Sequence, residues 1–256
     1  MKKPVGSIAT SCIVFACVFG GALLGMAFRS FLPEHHLDVD SKNIVNLGMA
    51  LIGTMSALLL GLLIASAKGS YDAQRGELLQ MSADIVQLDR LLARYGPQTT
   101  ETRAVLRRAV ALINQSWSED TSRSERLDSP TLKAEITNFY ESIQGLSPRN
   151  DFERSLQSQA LQTAVEIART RSILLEQVGS SIPTPFLIVV VFWLSVIFTS
   201  FGLFAPRNAT VVVTLFVCAV SVSAAIFLII ELDSPFSGLL QISNAPLQEA
   251  LAHLGN

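Results

Sequence analysis

The sequence predicts an all-α membrane protein with four transmembrane helices, arranged two and two around a cytoplasmic helical bundle inserted between the second and third. Three observations predict it. Half of the 256 residues are hydrophobic and only 16% are charged, too apolar for an ordinary soluble domain. Four uncharged apolar runs are each long enough to cross a bilayer core of about 30 Å as a helix. Between the second and third runs the apolar residues recur at helical rather than strand spacing.

The first run, Pro4 to Phe28, follows Lys2 and Lys3. A basic start before an apolar stretch also describes a signal peptide, but this run is too long and lacks a small-x-small cleavage site. It is therefore read as a retained first span, with Gly21 and Gly25 hinting at close helix packing. The connector from Arg29 to Lys42 holds Glu34, His35, His36, Asp38 and Asp40. These types bind metals or sense pH, yet adjacent loop histidines do not converge on one ion, so a solvated hairpin is expected.

The second run carries no charge over the 25 residues between Lys42 and Lys68. It has small residues at every fourth position: Gly53, Ala57, Gly61, Ala65 and Gly69. In lipid, such a stripe lets backbones approach closely; it can equally line a water-filled path. Beyond Lys68 the helix passes into a polar region, so one element joins the membrane and soluble parts.

In that region, residues 69 to 181, Leu78, Met81, Ile85, Leu88 and Leu92 mark one helix face. Leu106, Val110, Ile113 and Trp117 mark a second, and Leu132, Ile136, Phe139 and Ile143 a third. Gly96-Pro97, the run SEDTSRSERLDS and Ser147-Pro148 separate them. Ser129-Pro130 reads as an N-cap with proline at the first helical position. A long helix from about Asn150 to Val178 closes the region before Gly179 and Pro183.

The third span has its core at Pro185 to Phe204, and the fourth runs from Ala209 to Ile230. No span contains Asp, Glu, Lys, Arg or His. That lowers a proton-coupled transporter, which places ionisable groups in the membrane. In the tail, Glu231 and Asp233 sit at the membrane edge. They read as a cation site or charge ring at a pore mouth, or as interfacial acids that stop the span and cap the next helix. Leu247, Leu251 and Leu254 make an apolar stripe on a last short helix.

Of 19 basic residues, 14 fall between Lys68 and Arg171. Lys2 and Lys3, with Lys68, Arg75, Arg169 and Arg171 flanking the insert, outnumber Arg29, Lys42 and Arg207 on the opposite side, and the bias puts both termini and the insert in the cytoplasm. The net charge of −2 gives no nucleic-acid footprint. Cys12, Cys17 and Cys218 lie in apolar runs without metal spacing. There is no Ser/His/Asp set, metal cluster or phosphate loop, so neither an enzyme, a metal nor a cofactor is expected.

Two segments together resemble a known family. Ser70-Tyr71-Asp72-Ala73-Gln74-Arg75 resembles the Tyr, acid and Arg pattern of bestrophins at the exit of their second helix. Glu231-x-Asp233-x-Pro235-Phe236-x-Gly238, with Pro246-Leu247 after it, resembles their Pro-Phe-Gly stretch. The segment LDRLLARYGP and the tail ELDSPFSGLLQIS are similar to segments of bacterial bestrophin-like membrane proteins of unknown function. The likeness covers most of the chain from the second span onward.

The resemblance implies a ring, most simply a homopentamer, in the bacterial inner membrane. It implies passage of inorganic ions: bestrophins pass mainly anions in animals and cations in some bacterial members. It further implies that the second helix lines the pore. Gly53, Ala57, Gly61 and Ala65 are the channel-face residues this suggests, with Tyr71, Asp72, Arg75, Glu231, Asp233, Pro235, Phe236 and Gly238 at the membrane–cytoplasm junction. The family's neck is made by large apolar residues four apart; the corresponding Ala57, Gly61 and Ala65 are small. Either the neck is wider here, or this face packs on another helix. The acidic run of a calcium clasp is missing, so calcium gating is not implied. The alternative function is a non-conducting membrane scaffold or sensor whose cytoplasmic bundle binds a protein. The domain boundaries expected are residues 1–68, 69–181, 182–230 and 231–256.

Overall fold

The computed structural model describes residues 6–29, 39–118, 130–176, 182–206, 208–235 and 239–255. Those residues are helical, with no strand among them. In order they form α1 (Ser7–Phe28), α2 (Val39–Tyr95), a 3-10 turn (Pro97–Thr99), α3 (Thr100–Ser118), α4 (Pro130–Gln144), α5 (Asp151–Glu176), α6 (Thr184–Phe204), α7 (Ala209–Asp233) and α8 (Ala245–His253). The chain divides into two compact units, one of Met1–Tyr71 and Ser180–Ser234, the other of Asp72–Gly179 and Pro235–Asn256. The helix α2 contributes to both.

In the first unit, four helices are long and apolar enough to cross a membrane: α1, the first part of α2, α6 and α7. Their core includes Val14, Val18, Ala22, Leu63, Ala67, Val190, Leu194, Phe198, Ala219 and Ile226. Two polar pins fix helix direction. The Arg29 guanidinium, just past the end of α1, donates to the carbonyl of Ala205 at the end of α6. At the other end the Ser7 hydroxyl, in the first turn of α1, donates to the Glu231 carboxylate in the last turn of α7. So α1 runs parallel to α6 and antiparallel to α7. An edge-to-face contact of Phe15 with Phe216, centroids 5.6 Å apart, packs α1 on α7 midway between.

The α1–α6 crossing is the tightest in this unit, and glycines make it. A Cβ on Gly25 would lie 2.9 Å from the Leu203 nitrogen and nearer still to the Thr199 carbonyl. One on Gly202 would lie 2.9 Å from the carbonyl carbon of Ala22. One on Gly21 would lie 2.9 Å from the Thr199 hydroxyl and 3.0 Å from the Ser195 carbonyl oxygen. Without a hydrophobic driving force between helices in lipid, backbone contact of this kind is what holds such a pair. The Gly21/Gly25 pair is thus a working crossing, completed by a glycine on α6 that carries no motif of its own. Asn208 starts α7, its side chain accepting from the Val211 N–H at 2.9 Å.

The second unit is an amphipathic bundle. Along α2, Gln74, Leu78, Met81, Ile85, Leu88, Leu92 and Tyr95 are buried at alternating steps of four and three. They are joined by Leu106, Val110 and Ile113 of α3, Leu132, Phe139 and Ile143 of α4, and Leu156, Ala160 and Ala164 of α5. Burying each large aliphatic stabilises by about 1.5–3 kcal/mol. The helix breaks at Gly96, whose φ of 124° favours glycine, and the Thr99 hydroxyl donates to the Leu92 carbonyl at 2.6 Å to close the end. At the start of α5, Asn150 and Glu153 cap reciprocally: the Glu153 N–H donates to Asn150 Oδ1 at 2.8 Å. The same helix satisfies α4, since the Gln157 amide donates to the carbonyls of Ile143 and Leu146 at 2.9 and 3.0 Å.

The tail belongs to this unit. Leu247 and Leu254 are buried as the sequence expects, but Ala250 rather than Leu251 completes the stripe. α8 packs on α3, and its Asn244 amide donates to Asn114 at 3.1 Å.

Candidate functional site

The stripe on α2 is the first place to examine. Its geometry follows from helical repeat: four residues turn about 400°, so each step drifts about 40° around the helix. Ser56, Leu63 and Ala67 mark the buried side of the span. Gly53 adjoins that side and is half-buried, 4.0 Å (as a built Cβ) from Ile197 of α6. Each later step turns away, and Ala57, Gly61 and Ala65 are exposed. A Cβ on Gly61 would meet nothing within 4 Å. Among the described residues, therefore, the stripe is not a helix-packing seam; that role falls to the glycines of α1 and α6.

The span of α2 is also the least covered of the four. Of its apolar window 11% is buried, against 28–33% in the others. Ile44, Leu47, Leu51, Leu58 and Leu62 are all at least 60% exposed. A helix clothed by its own chain on one narrow side leaves the rest for lipid, a second copy or an axial path.

At the end of this span the Lys68 ammonium lies 5.6 Å from the ring centroid of Tyr71, over its face. Lys68 is exposed and Tyr71 half-buried. Asp72 and Arg75, one and two turns after Lys68 on the helix, are exposed in the second unit. Glu231 is 2% exposed, within the packing of α7 against α1, where it accepts the Ser7 hydroxyl. Asp233 is the last residue of α7 and half-buried. Pro235 is buried, and its carbonyl accepts from the Ile242 N–H at 2.8 Å, closing the turn into the tail. Phe236 and Gly238 lie outside the described residues, as does the connector with Glu34, His35, His36 and Asp38.

Two features escaped sequence reasoning. Ser7 is 224 positions from Glu231, and nothing local marks it as a partner. Asp89 and Arg103 form a two-point ion pair, Nε to Oδ1 at 2.7 Å and Nη2 to Oδ2 at 2.8 Å. The Gly255 N–H approaches Asp89 Oδ2 at 3.4 Å, tying the chain's end to α2. The bond to Asp89 holds the Arg103 guanidinium above its ordinary pKa. An acid and a base 14 residues apart, one on each side of a Gly-Pro break, were the only sequence sign of this pair.

Comparison with known proteins follows from this fold. A family model described as a bestrophin-like domain matches residues 16–247. Among solved structures, the fold is similar to that of a bacterial bestrophin homolog from Klebsiella pneumoniae, at 15% identity over 95% of this chain and 96% of that one, with a TM-score of 0.69. A single-substitution variant of that homolog is similar at 16% identity over 99% and 98%, with a TM-score of 0.67. At these identities the likeness establishes the fold. No curated protein matches the chain in sequence.

Proposed function

The chain belongs to the bestrophin-like family, and on that footing we propose that it is an oligomeric ion channel of the bacterial inner membrane, most simply a homopentamer. The observation that carries this reading is the uncovered α2 span. It is the least buried of the four apolar helices, and at Ala57, Gly61 and Ala65 its small-residue face is exposed among the described residues. In a ring, that helix has a place at the axis, with Ala57, Gly61 and Ala65 bounding the path and Gly53 at the edge of the packed side. Family membership supports the channel class, since the members are ion channels.

In this reading residues 1–68 and 182–230 form the two transmembrane helix pairs, residues 69–181 the cytoplasmic insert, and residues 231–256 a cytoplasmic tail. Both termini face the cytoplasm, as the basic residues of the insert favour. Tyr71, at the end of the α2 span, and Glu231 and Asp233, in the last turn of α7, lie where these helices leave the bilayer in this reading.

The test is Gly61→Leu, read for oligomer yield and ion flux side by side. A Cβ at this position meets nothing within 4 Å among the described residues, so the substitution starts from open space in the protomer. If the face bounds the path, the oligomer forms and flux falls through a tighter, drier constriction. Loss of the oligomer would place the stripe in a subunit contact instead. An intact oligomer with unchanged flux removes this face from the path. Mass measurement in mild detergent that finds only a 27.7 kDa monomer overturns the ring, and leaves a non-conducting scaffold or sensor as the better reading.

A further inference from the structure

A serine inside an apolar helix commonly satisfies its hydroxyl by donating to the carbonyl one turn back. Ser11, Ser56, Ser195 and Ser221 all do so, at 2.8, 2.8, 2.7 and 2.9 Å. Ser223 does not. It is 7% exposed, and its hydroxyl oxygen is buried with no hydrogen-bond partner among the described residues. A buried hydroxyl left in this way costs free energy that a bound acceptor recovers. The hydroxyl lines a groove of about 530 Å³ between α1 and α7, and small-molecule pockets span roughly 300–1,000 Å³. On α1 the groove is lined by Ile8, Ser11, Cys12 and Phe15, whose helical spacing puts them on one face. The helices are antiparallel, so Ile8 lies toward Phe227 of α7 while Phe15 meets Phe216. Large side chains thus stand at the two ends, and small ones, Ser223 and Ala224 opposite Ser11 and Cys12, leave the space between.

We propose that this groove binds the ring of a membrane-soluble quinone, with the Ser223 hydroxyl donating to a ring carbonyl. The proposal rests on the reading of α1 and α7 as membrane spans and not on conduction. Ser223 stands ten residues, or about 15 Å, before the end of α7 at Asp233. Half of a bilayer core is also about 15 Å, so the hydroxyl sits close to the midplane. Phospholipid ester groups stay at the interface, and the acyl chains that reach this depth carry no acceptor. Charged ligands are kept from the same depth by the cost of leaving water. A quinone is uncharged, dissolves in hydrocarbon and carries carbonyl acceptors on a flat ring. Phe15, Phe216 and Phe227 offer that ring aromatic faces and edges, and Phe15 with Phe216 already makes an edge-to-face contact at 5.6 Å. Cys12 and Ala224 are exposed and small, which leaves the groove open to a ligand arriving through lipid.

The experiment is photolabelling of the purified full chain in phosphatidylcholine nanodiscs with an azido-substituted decylbenzoquinone, the labelled residues being located by mass spectrometry. Label is expected within residues 8–15 and 216–227. Unlabelled decylubiquinone displaces it, and decanol, which has the chain without the ring, does not. Ser223→Ala weakens the affinity by about tenfold, as loss of one hydrogen bond predicts. Ala224→Leu fills the groove and abolishes the label. Ser221→Ala, which removes a hydroxyl already bonded to the Val217 carbonyl, leaves it unchanged. Label spread over all the spans, equal displacement by decanol, or an affinity unchanged in either Ser223→Ala or Ala224→Leu overturns the proposal and leaves the spans in place. Recovery of the protein from cells in the soluble fraction instead of the membranes overturns the reading of α1 and α7 on which it rests. Ion flux, measured on the same preparations, tests the channel separately.

Discussion

Replacing Gly25 by alanine adds one carbon atom at the point where α1 meets α6. That atom would lie 2.9 Å from the Leu203 nitrogen, 3.0 Å from the Thr199 carbonyl carbon and closer still to the Thr199 oxygen. An ordinary Cβ contact begins at about 3.4 Å, and every obstructing atom is backbone. No rotamer change relieves the clash, so the two helices must part by about 1 Å. Parting them also loosens the reciprocal contacts of Gly202 with Ala22 and Met26, and the dispersion between the helices falls with the gap. Overpacking costs typically 1–3 kcal/mol, and this case belongs at the upper end because nothing flexible yields. The assay is unfolding of the purified protein in detergent, by temperature and by denaturing detergent titration, for Gly25→Ala, Gly202→Ala, the double variant and Gly61→Ala. Both single variants should be destabilised by roughly 2–3 kcal/mol. The double variant should cost less than their sum, because one separation of the helices relieves both clashes. Gly61→Ala, with nothing within 4 Å, should match wild type. A Gly25→Ala protein as stable as wild type, or a fully additive double variant, would refute the reasoning.

Three further outcomes are expected. Asp89→Ala removes both bonds to Arg103 from a pair whose side chains are 7% and 21% exposed. It should destabilise toward the lower end of the roughly 3–5 kcal/mol seen for broken buried pairs, and should speed proteolysis of residues 239–255, whose end Asp89 holds. Tyr95 is held above its ordinary 10.0 mainly by burial, with Glu153 raising it further and Arg149 opposing. Above pH 10 the unfolded chain therefore loses this proton while the fold retains it, and stability present below pH 10 is lost as pH rises through the folded value. Helicity followed from pH 8 to 11 should show that loss, and Tyr95→Phe should flatten it. At neutral pH Tyr95→Phe should be neutral or stabilising, because the buried hydroxyl has no partner among the described residues. Asn208→Ala removes the cap of α7 and should cost about 1 kcal/mol in the same unfolding assay.

Composition and periodicity by themselves determined the helical class and where its elements lie. A 3.6-residue repeat and a bilayer's thickness are local constraints, written in every stretch of about 20 residues. So the four apolar helices, the buried face of α2 from Leu78 to Leu92 and the break at Gly96-Pro97 were legible without coordinates. The family could be read from Ser70 to Arg75 and from the tail, because those residues recur as short contiguous patterns. Tertiary structure decided which small residues touch. Gly21/Gly25 and Gly53/Gly61 are the same kind of signal in sequence, since close approach requires a small residue but a small residue does not specify its neighbour. The fold gave the first pair Gly202 and Thr199 to pack against and left Gly61 open. It likewise decided the fate of the charges. Glu231 and Lys68 both stand at the end of an apolar run, and local sequence ranks them alike. Only the meeting of α7 with α1, which brings Ser7 across 224 positions, covers the acid and leaves the lysine exposed. Burial is a property of what packs against a residue, and that partner comes from a distant part of the chain.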